Sequence, residues 1–381
     1  MLYRDPCVFA VENSYQIVFN TLEFGIAWVE VGAKQYRDSV GGLMRSETLI
    51  HRVTVPMAEL NAAKQYTVCF RALPERRPYF PELGEEQRRE YAFRPADFSD
   101  GLQAIVLADT HSNIDAPTLA AKYYGDKLDV LLMNGDIPAE SKQMSDLMAI
   151  YDILSNVTGG SIPVAFARGN HDYRGRLAIE MPQYIGTRQG ETYFTFRIGS
   201  LWGIVLDCGE DKTDDHVEYG GLVDCHDMRL RETEYIRDVI ARAEHEYLAP
   251  GVETRICLTH IPFPSKVIEE GDPVFNIELD VFGEWTQLLN QMQLDVMLCG
   301  HMHRLSVTEP DGDMARMGVQ FPVVVCAEPH MNRGGKRHGQ IPTEGDEPHY
   351  LCGAFEVKDG HVTVHAVDDH GNATLLWEKK K

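Results

Sequence analysis

Apolar positions along this chain change their rhythm near residue 100. Before that point they come in short runs broken by turn residues, at 15–19, 25–31, 48–55 and 66–70. In the last run Tyr66, Val68 and Phe70 alternate with Thr67 and Cys69, the period of a strand with two unlike faces. From Leu102 onward the runs at 103–107, 129–133 and 163–166 are nearly continuous, which predicts strands covered on both sides. Helical stretches separate them: one over 141–154 with Ser141 as N-cap, and a later amphipathic one over 229–247. Strands alternating with helices predict βαβ units. Toward the C-terminus Asp359-Gly360 stands between two apolar runs as a hairpin turn.

Two units follow from this change: an all-β sandwich over residues 1–95 and an α/β unit over residues 100–381. Leu60 and Tyr66-x-Val68 resemble the tyrosine corner of immunoglobulin-like and fibronectin III sandwiches, where the Tyr hydroxyl bonds to backbone a few residues upstream. Ala62 and Lys64 occupy positions where that motif often carries Pro and Thr. The stretch 74–94, rich in Pro, Glu and Arg, reads as a solvated loop with one helical turn, closed by Arg94-Pro95.

Composition narrows the class of protein. Hydrophobic residues make up 44% and charged residues 25% of 381, ordinary values for a soluble globular chain. No apolar run approaches the roughly 18 residues of a membrane span. The opening Met-Leu-Tyr-Arg-Asp-Pro has neither a basic nor an apolar leader segment, so no secretory signal is expected. Eight cysteines, none spaced C-x-x-C and several inside apolar runs, predict a reduced, cytoplasmic protein. Their even number leaves a Cys208–Cys225 bridge open. A net charge of −22 argues against nucleic acid as a bulk partner, since that binding rests on phosphate neutralisation by Lys and Arg. A small anionic substrate stays compatible, because bound cations reverse the field locally.

Five short segments carry the candidate chemistry: Asp109-Thr110-His111, Gly135-Asp136, Gly169-Asn170-His171-Asp172, His260, and Gly300-His301-Met302-His303. Each offers carboxylate, amide or imidazole donors suited to a hard or borderline divalent metal. Each follows an apolar run, which puts the donors where a strand gives way to a loop, the usual ligand position in open α/β sheets. Singly, every segment has an ordinary reading: a surface pair, a Gly-Asp turn, an Asn that caps backbone, a structural His. Five strand-end segments in one chain do not share that ordinary reading.

Their order, D-x-H, G-D, G-N-H-[DE], H, G-H-x-H, resembles the calcineurin-like metallophosphoesterase family over about residues 100–310. The resemblance implies an αββα sandwich and two divalent ions, manganese, iron or zinc. One ion would be held by Asp109, His111, Asp136 and His303, the other by Asp136, Asn170, His260 and His301. A hydroxide bridging them would attack a small phosphomonoester or phosphodiester, with His171 as the catalytic acid. His330 and Asp172 are candidate substrate contacts, and Asp172 or Asp207 a candidate partner for His171. The basic stretch 332–338 and the acidic stretch 209–227, with His216, are candidate covers of the site.

The order of the two units is similar to that of purple acid phosphatases, whose bridging Asp is followed three residues later by a Tyr ligand to ferric iron. Ala139 stands there, so the charge-transfer colour is expected to be absent. The GDxxDRG signature of Ser/Thr protein phosphatases is missing too. A non-catalytic binding scaffold on the same fold, and a sandwich that docks a carbohydrate or protein partner, are the alternative readings.

Overall fold

The computed structural model describes residues 1–266, 276–329 and 348–379. The first part of the chain forms β1 (Cys7–Val11), β2 (Ser14–Asn20), β3 (Gly25–Val31), β4 (Lys34–Arg37), a short hairpin of β5 (Ser39–Val40) and β6 (Leu43–Met44), β7 (Ile50–Pro56), helix α1 (Met57–Ala63), β8 (Gln65–Ala72) and β9 (Gln87–Ala92). Next come β10 (Leu102–Leu107), α2 (Asp115–Ala121), β11 (Val130–Asn134), α3 (Met144–Thr158), β12 (Pro163–Ala167), β13 (Phe194–Ile198), β14 (Leu201–Leu206) and α4 (Cys225–Ala241). The last part holds β15 (Thr254–Thr259), α5 (Leu279–Asn290), β16 (Val296–Cys299), β17 (Ser306–Thr308), β18 (Val323–Val325), β19 (Glu328–Pro329), β20 (Tyr350–Lys358), β21 (His361–Asp368) and β22 (Ala373–Glu378).

Two sheets face each other. The larger runs β22-β21-β20-β10-β11-β12-β1-β2-β7, and the other runs β13-β14-β15-β16-β18-β17. Alternation along β14 shows how the layers are sealed. Leu201 and Val205 join the core between the sheets, together with Ile105, Leu131 and Phe166. Trp202, Ile204 and Leu206 point the other way and pack with Tyr235 and Ile236 of α4 and Trp285 of α5. Helices α2 and α3 cover the outer face of the larger sheet. This is the αββα layering implied above.

The N-terminal region is all-β apart from α1, and it packs as a sandwich. Its second layer, β4-β3-β8-β9, lies over β2 and β7 with Val29, Val68 and Phe70 against Val53 and Phe19. Its first layer is continuous with the larger sheet, because β1 pairs in parallel with β12 through Val8↔Pro163 and Phe9↔Val164. The strand that makes this seam, CVFAV, is buried at all five positions. Being buried on both faces, it has no polar alternation, and the rhythm that predicted β2, β3, β7 and β8 does not mark it.

Other expectations need correction. Tyr66 forms no tyrosine corner: its hydroxyl donates to Gly160 O at 2.8 Å, just past the C-terminal end of α3, and so ties the sandwich to the α/β unit. The charged stretch 74–94 is not all loop, since its second half is β9, an edge strand on β8. Gln87, Arg88, Arg89 and Glu90 are all exposed on that edge, so no apolar face signals the strand. Helix α3 is capped by a reciprocal Gln143–Asp146 capping box rather than by Ser141, whose hydroxyl is buried without a partner. All eight cysteines are free, so Cys208 and Cys225 are not bridged. Among the described residues no helix is long and apolar enough to cross a membrane.

Helix α4 also brings a pH dependence into the core. Glu232 is fully buried, and its Oε1 accepts the Asp207 amide at 2.9 Å. Burial, reinforced by the Asp207 charge, pushes its carboxyl well above the usual range. A raised folded-state value means full stability below the unfolded carboxylate range and progressive loss as pH rises. Glu232→Gln keeps the acceptor and removes the titration. Its melting-temperature advantage over the parent should therefore widen from about pH 5 to about pH 9. An offset that stays constant over that range would contradict the assignment.

Candidate metal centre

The five predicted segments sit at the C-terminal ends of β10, β11, β12, β15 and β16, where the parallel strands of both sheets open to one side. Backbone bonds stitch the loops together: Asp109 N donates to Gly135 O, His111 N to Asp136 O, and Gly300 N to His260 O, each at 2.9–3.0 Å. Two glycines permit this closeness. A Cβ at Gly135, whose φ is +84°, would fall 2.6 Å from Gly169 N. One at Gly300 would fall 2.7 Å from an Asp109 oxygen. Five ligand candidates adopt left-handed backbone: Asp109, His111, Asp136, His301 and His303, with φ between 44° and 71°. Such conformations cost about 1–3 kcal/mol each and collect at functional sites.

Ligand atoms of Asp109, His111, Asp136, His260 and His303 fall into overlapping groups within 4.8 Å, and the His301–Asn170 pair lies beside His260, so that two foci can be told apart. Around the first, His111 Nε2 and His303 Nε2 are 2.9 Å apart, and Asp109 Oδ1 lies 3.3 Å from His303 Nε2. Around the second, His301 Nδ1 is 3.0 Å from Asn170 Oδ1, and His260 Nε2 is 3.2 Å from Asp136 Oδ2. Asp136 reaches both, since the same Oδ2 lies 3.9 Å from His111 Nε2. Donors bound to one ion at about 2.1 Å stand roughly 3 Å from one another, so this spacing fits metal ligation. A further sign is His260. Its Nδ1 bonds to Asn134 O at 2.7 Å, while its buried Nε2 faces the carboxylates without a hydrogen bond. An imidazole held through Nδ1 presents its Nε2 lone pair to a metal. The donor set and its geometry therefore fit divalent ions.

Without ions, the cluster polarises itself. Burial opposes the His260 imidazolium, yet Asp136 and Asp109 outweigh it and lift its pKa to about 10. Burial also opposes the Asp136 carboxylate, but His260, His171 and His111 hold it far below the usual range. His111 and His301 go the other way: burial lowers each to about 4. His303 is raised, chiefly by its contact with Asp109.

His171 stands at the rim, partly exposed, with its ring 4.6 Å from that of His111. Its amide donates to Asp136 Oδ1 at 2.8 Å, and its Nδ1 lies 2.8 Å from Ala139 O. The residue in place of the tyrosine ligand thus fixes the His171 ring through its carbonyl. Neither expected partner orients that ring. Asp207 is engaged by Arg168 at 2.8 Å and by the Tyr173 hydroxyl at 2.9 Å. Asp172 has no exposed surface. Its Oδ2 accepts the amides of Gly169 at 2.8 Å and Asp136 at 3.2 Å, so it braces the two turns from behind and does not reach substrate. Burial and the charge of Asp136 raise its pKa. His330 and the basic stretch 332–338 lie outside the described residues.

Arg174 was not marked by the sequence pattern. Its Nη1 lies 3.0 Å from His171 Nε2, while Nε and Nη2 grip buried Glu210 at 3.0 Å each. The Tyr219 hydroxyl lies within hydrogen-bond distance of both Glu210, at 3.0 Å, and Asp211, at 2.9 Å. These residues come from the acidic stretch, which contributes its start to the site rather than only to the surface. The signal available was position alone, since Arg174 follows His171 by one short helical turn. A cavity of about 950 Å³ opens over Asn170, His171, His301 and His303 and is also lined by Met302, Arg304 and Arg316.

Known proteins bear on this geometry. The model of the family described as calcineurin-like phosphoesterase matches residues 102–305. A rat protein, Serine/threonine-protein phosphatase CPPED1, is 23% identical over 163 residues, 43% of this chain and 47% of its own length. The match thus spans about half of that relative. Purple acid phosphatase PPD1 from yellow lupin (Lupinus luteus) seeds superposes with a TM-score of 0.60 at 12% identity, covering 99% of this chain and 73% of the lupin chain. A structure named PhoD superposes at 0.53, also at 12% identity, covering 97% and 88%. The family match takes in more than half of the chain and includes all five donor segments, so the chain belongs to the calcineurin-like phosphoesterase family.

Proposed function

We propose that this protein is a binuclear metal-dependent hydrolase of small phosphomonoesters or phosphodiesters. The observation that supports the reading is that two foci of ligand atoms meet at a pair of buried carboxylates, Asp136 and Asp109. Two divalent cations of the manganese, iron or zinc group, when bound, supply acidified water and neutralise the phosphoryl oxygens. Asp109, His111 and His303 would hold the first with Asp136; Asn170, His260 and His301 would hold the second with it.

His171 is fixed by the Ala139 carbonyl through Nδ1, which directs Nε2 into the site. Nε2 there accepts an N–H of Arg174; once protonated and turned to the departing oxygen it donates that proton, a role worth about 10²–10⁴ in rate. Arg174, held on its far edge by Glu210, turns its remaining N–H groups toward the same place and favours negative charge on the equatorial oxygens. The acidic surface of the chain as a whole supports a small substrate over a nucleic acid, and eight free buried thiols support a reducing compartment.

His171→Ala tests the assignment. Turnover of p-nitrophenyl phosphate and of bis(p-nitrophenyl) phosphate should fall about 10²–10⁴-fold while metal content by elemental analysis stays at the wild-type value. Unchanged turnover would remove His171 from the chemistry.

A further inference from the structure

A second set of donors closes at one corner of the larger sheet, apart from the seven described. His349 leads into β20, and Asp369 and His370 open the turn between β21 and β22. Ligand atoms of His349, Asp369 and His370 all lie within 4.8 Å of one another. The Asp369 side chain has no exposed surface, and its two oxygens accept the His349 amide at 3.0 and 3.3 Å. Beside it, buried Asp368 accepts the amides of His370 and Asn372 and the Asn372 side-chain amide.

Among the described residues no lysine or arginine pairs with either carboxylate; the ion-pair contact of Asp369 is with His349. That contact is incomplete. His349 Nδ1 lies 3.3 Å from Asp369 Oδ2, yet the nitrogen is buried and has no hydrogen bond. Two buried carboxylates and a buried imidazole nitrogen that makes no hydrogen bond form a pocket that favours a cation. The backbone is already committed: Asp369 N donates to Tyr350 O at 3.2 Å, so ligation requires little reordering.

We propose that His349, Asp369 and His370 form a further binding site for a borderline divalent cation, Zn²⁺ being the probe of choice. Two imidazoles and one carboxylate match zinc preference and leave a fourth position open to solvent through exposed His370. The site has a structural line to the centre described above. His349 precedes Tyr350, whose hydroxyl accepts the Ala108 amide at 3.2 Å and donates to the Ala108 carbonyl, one residue before Asp109. An ion on His349 therefore anchors the start of β20 where β20 supports the Asp109 turn.

The test is a count. Full-length protein stripped by chelator is dialysed to equilibrium against Zn²⁺ and its zinc content measured. Wild type should bind one equivalent more than His349→Gln and one more than His370→Gln. Because the comparison is between wild type and variants, it does not depend on how many ions Asp136 and its neighbours take up. His370 is exposed in a turn, so His370→Gln carries the test even if His349→Gln fails to fold. Equal zinc content in wild type and His370→Gln overturns the proposal.

Discussion

Asp136→Asn should reduce turnover on either aryl ester by about a thousandfold or more, corresponding to roughly 4 kcal/mol of lost transition-state stabilisation. Asp136 faces both foci through one oxygen, and Asp109 Oδ1 beside it lies 3.3 Å from His303 Nε2 and 3.7 Å from His260 Nε2. Asp136 is nearly fully buried, its Oδ1 is committed to the His171 amide, and its Oδ2 stands between His260 and His111. Asp109 and Asp136 are the only carboxylates among the seven candidate ligands, so the exchange removes half of the ligand charge available to neutralise the cations. Asparagine keeps the shape and one carbonyl oxygen, but it cannot serve two ions as an anion. Elemental analysis should accordingly show less than the wild-type metal content. Wild-type turnover with full metal content in Asp136→Asn would end the binuclear reading.

Truncation to residues 96–381 should give a protein that fails to fold to a soluble, cooperative state. Removing β1 turns β12 into an open edge, and exposed edges template aggregation. Phe9, which packs edge-on against Phe166 with ring centroids 6.4 Å apart, is lost along with Val8 and Val11. Each such buried side chain contributes about 1.5–3 kcal/mol. Polar ties go as well. Gln16 exchanges two hydrogen bonds with the Thr187 backbone at 2.6 and 3.0 Å, and Arg52 reaches the Ile185 carbonyl at 2.7 Å. The damage would reach the chemistry, since β12 runs directly into Asn170 and His171. Soluble yield and the thermal transition of the truncated chain decide the matter. A soluble fragment with full activity on a small ester would show the sandwich to be separable, and would favour a docking role for it.

Donor chemistry was readable because metal ligation needs particular atoms at strand ends, and apolar runs announce strand ends. Hence Asp109, His111, Asp136, Asn170, His260, His301 and His303 stand out, and the structure groups five of them within 4.8 Å with the His301–Asn170 pair alongside. Arg174 and Glu210 did not stand out, because an arginine gripping a buried glutamate looks in sequence like two surface charges. Asp172 was misread for a related reason: a carboxylate next to the candidate catalytic His171 suggests contact with substrate, whereas it is buried and accepts turn amides. The sandwich strands β2, β3, β7 and β8 showed as short apolar runs broken by turn residues. The seam β1, dry on both faces, and the edge β9, polar at every position but two, carried no alternation to read.

The left-handed backbone at Asp109, His111, Asp136, His301 and His303 has a consequence for how these donors can be exchanged. Aspartate, asparagine and histidine are the non-glycine residues most at home in that conformation, so the side chains proposed to bind metal are also those the turns accept. Alanine would remove a donor and burden the loop together, and valine or isoleucine would burden it more. Asparagine separates the two effects, and is the replacement by which a missing electron pair can be told from a distorted chain.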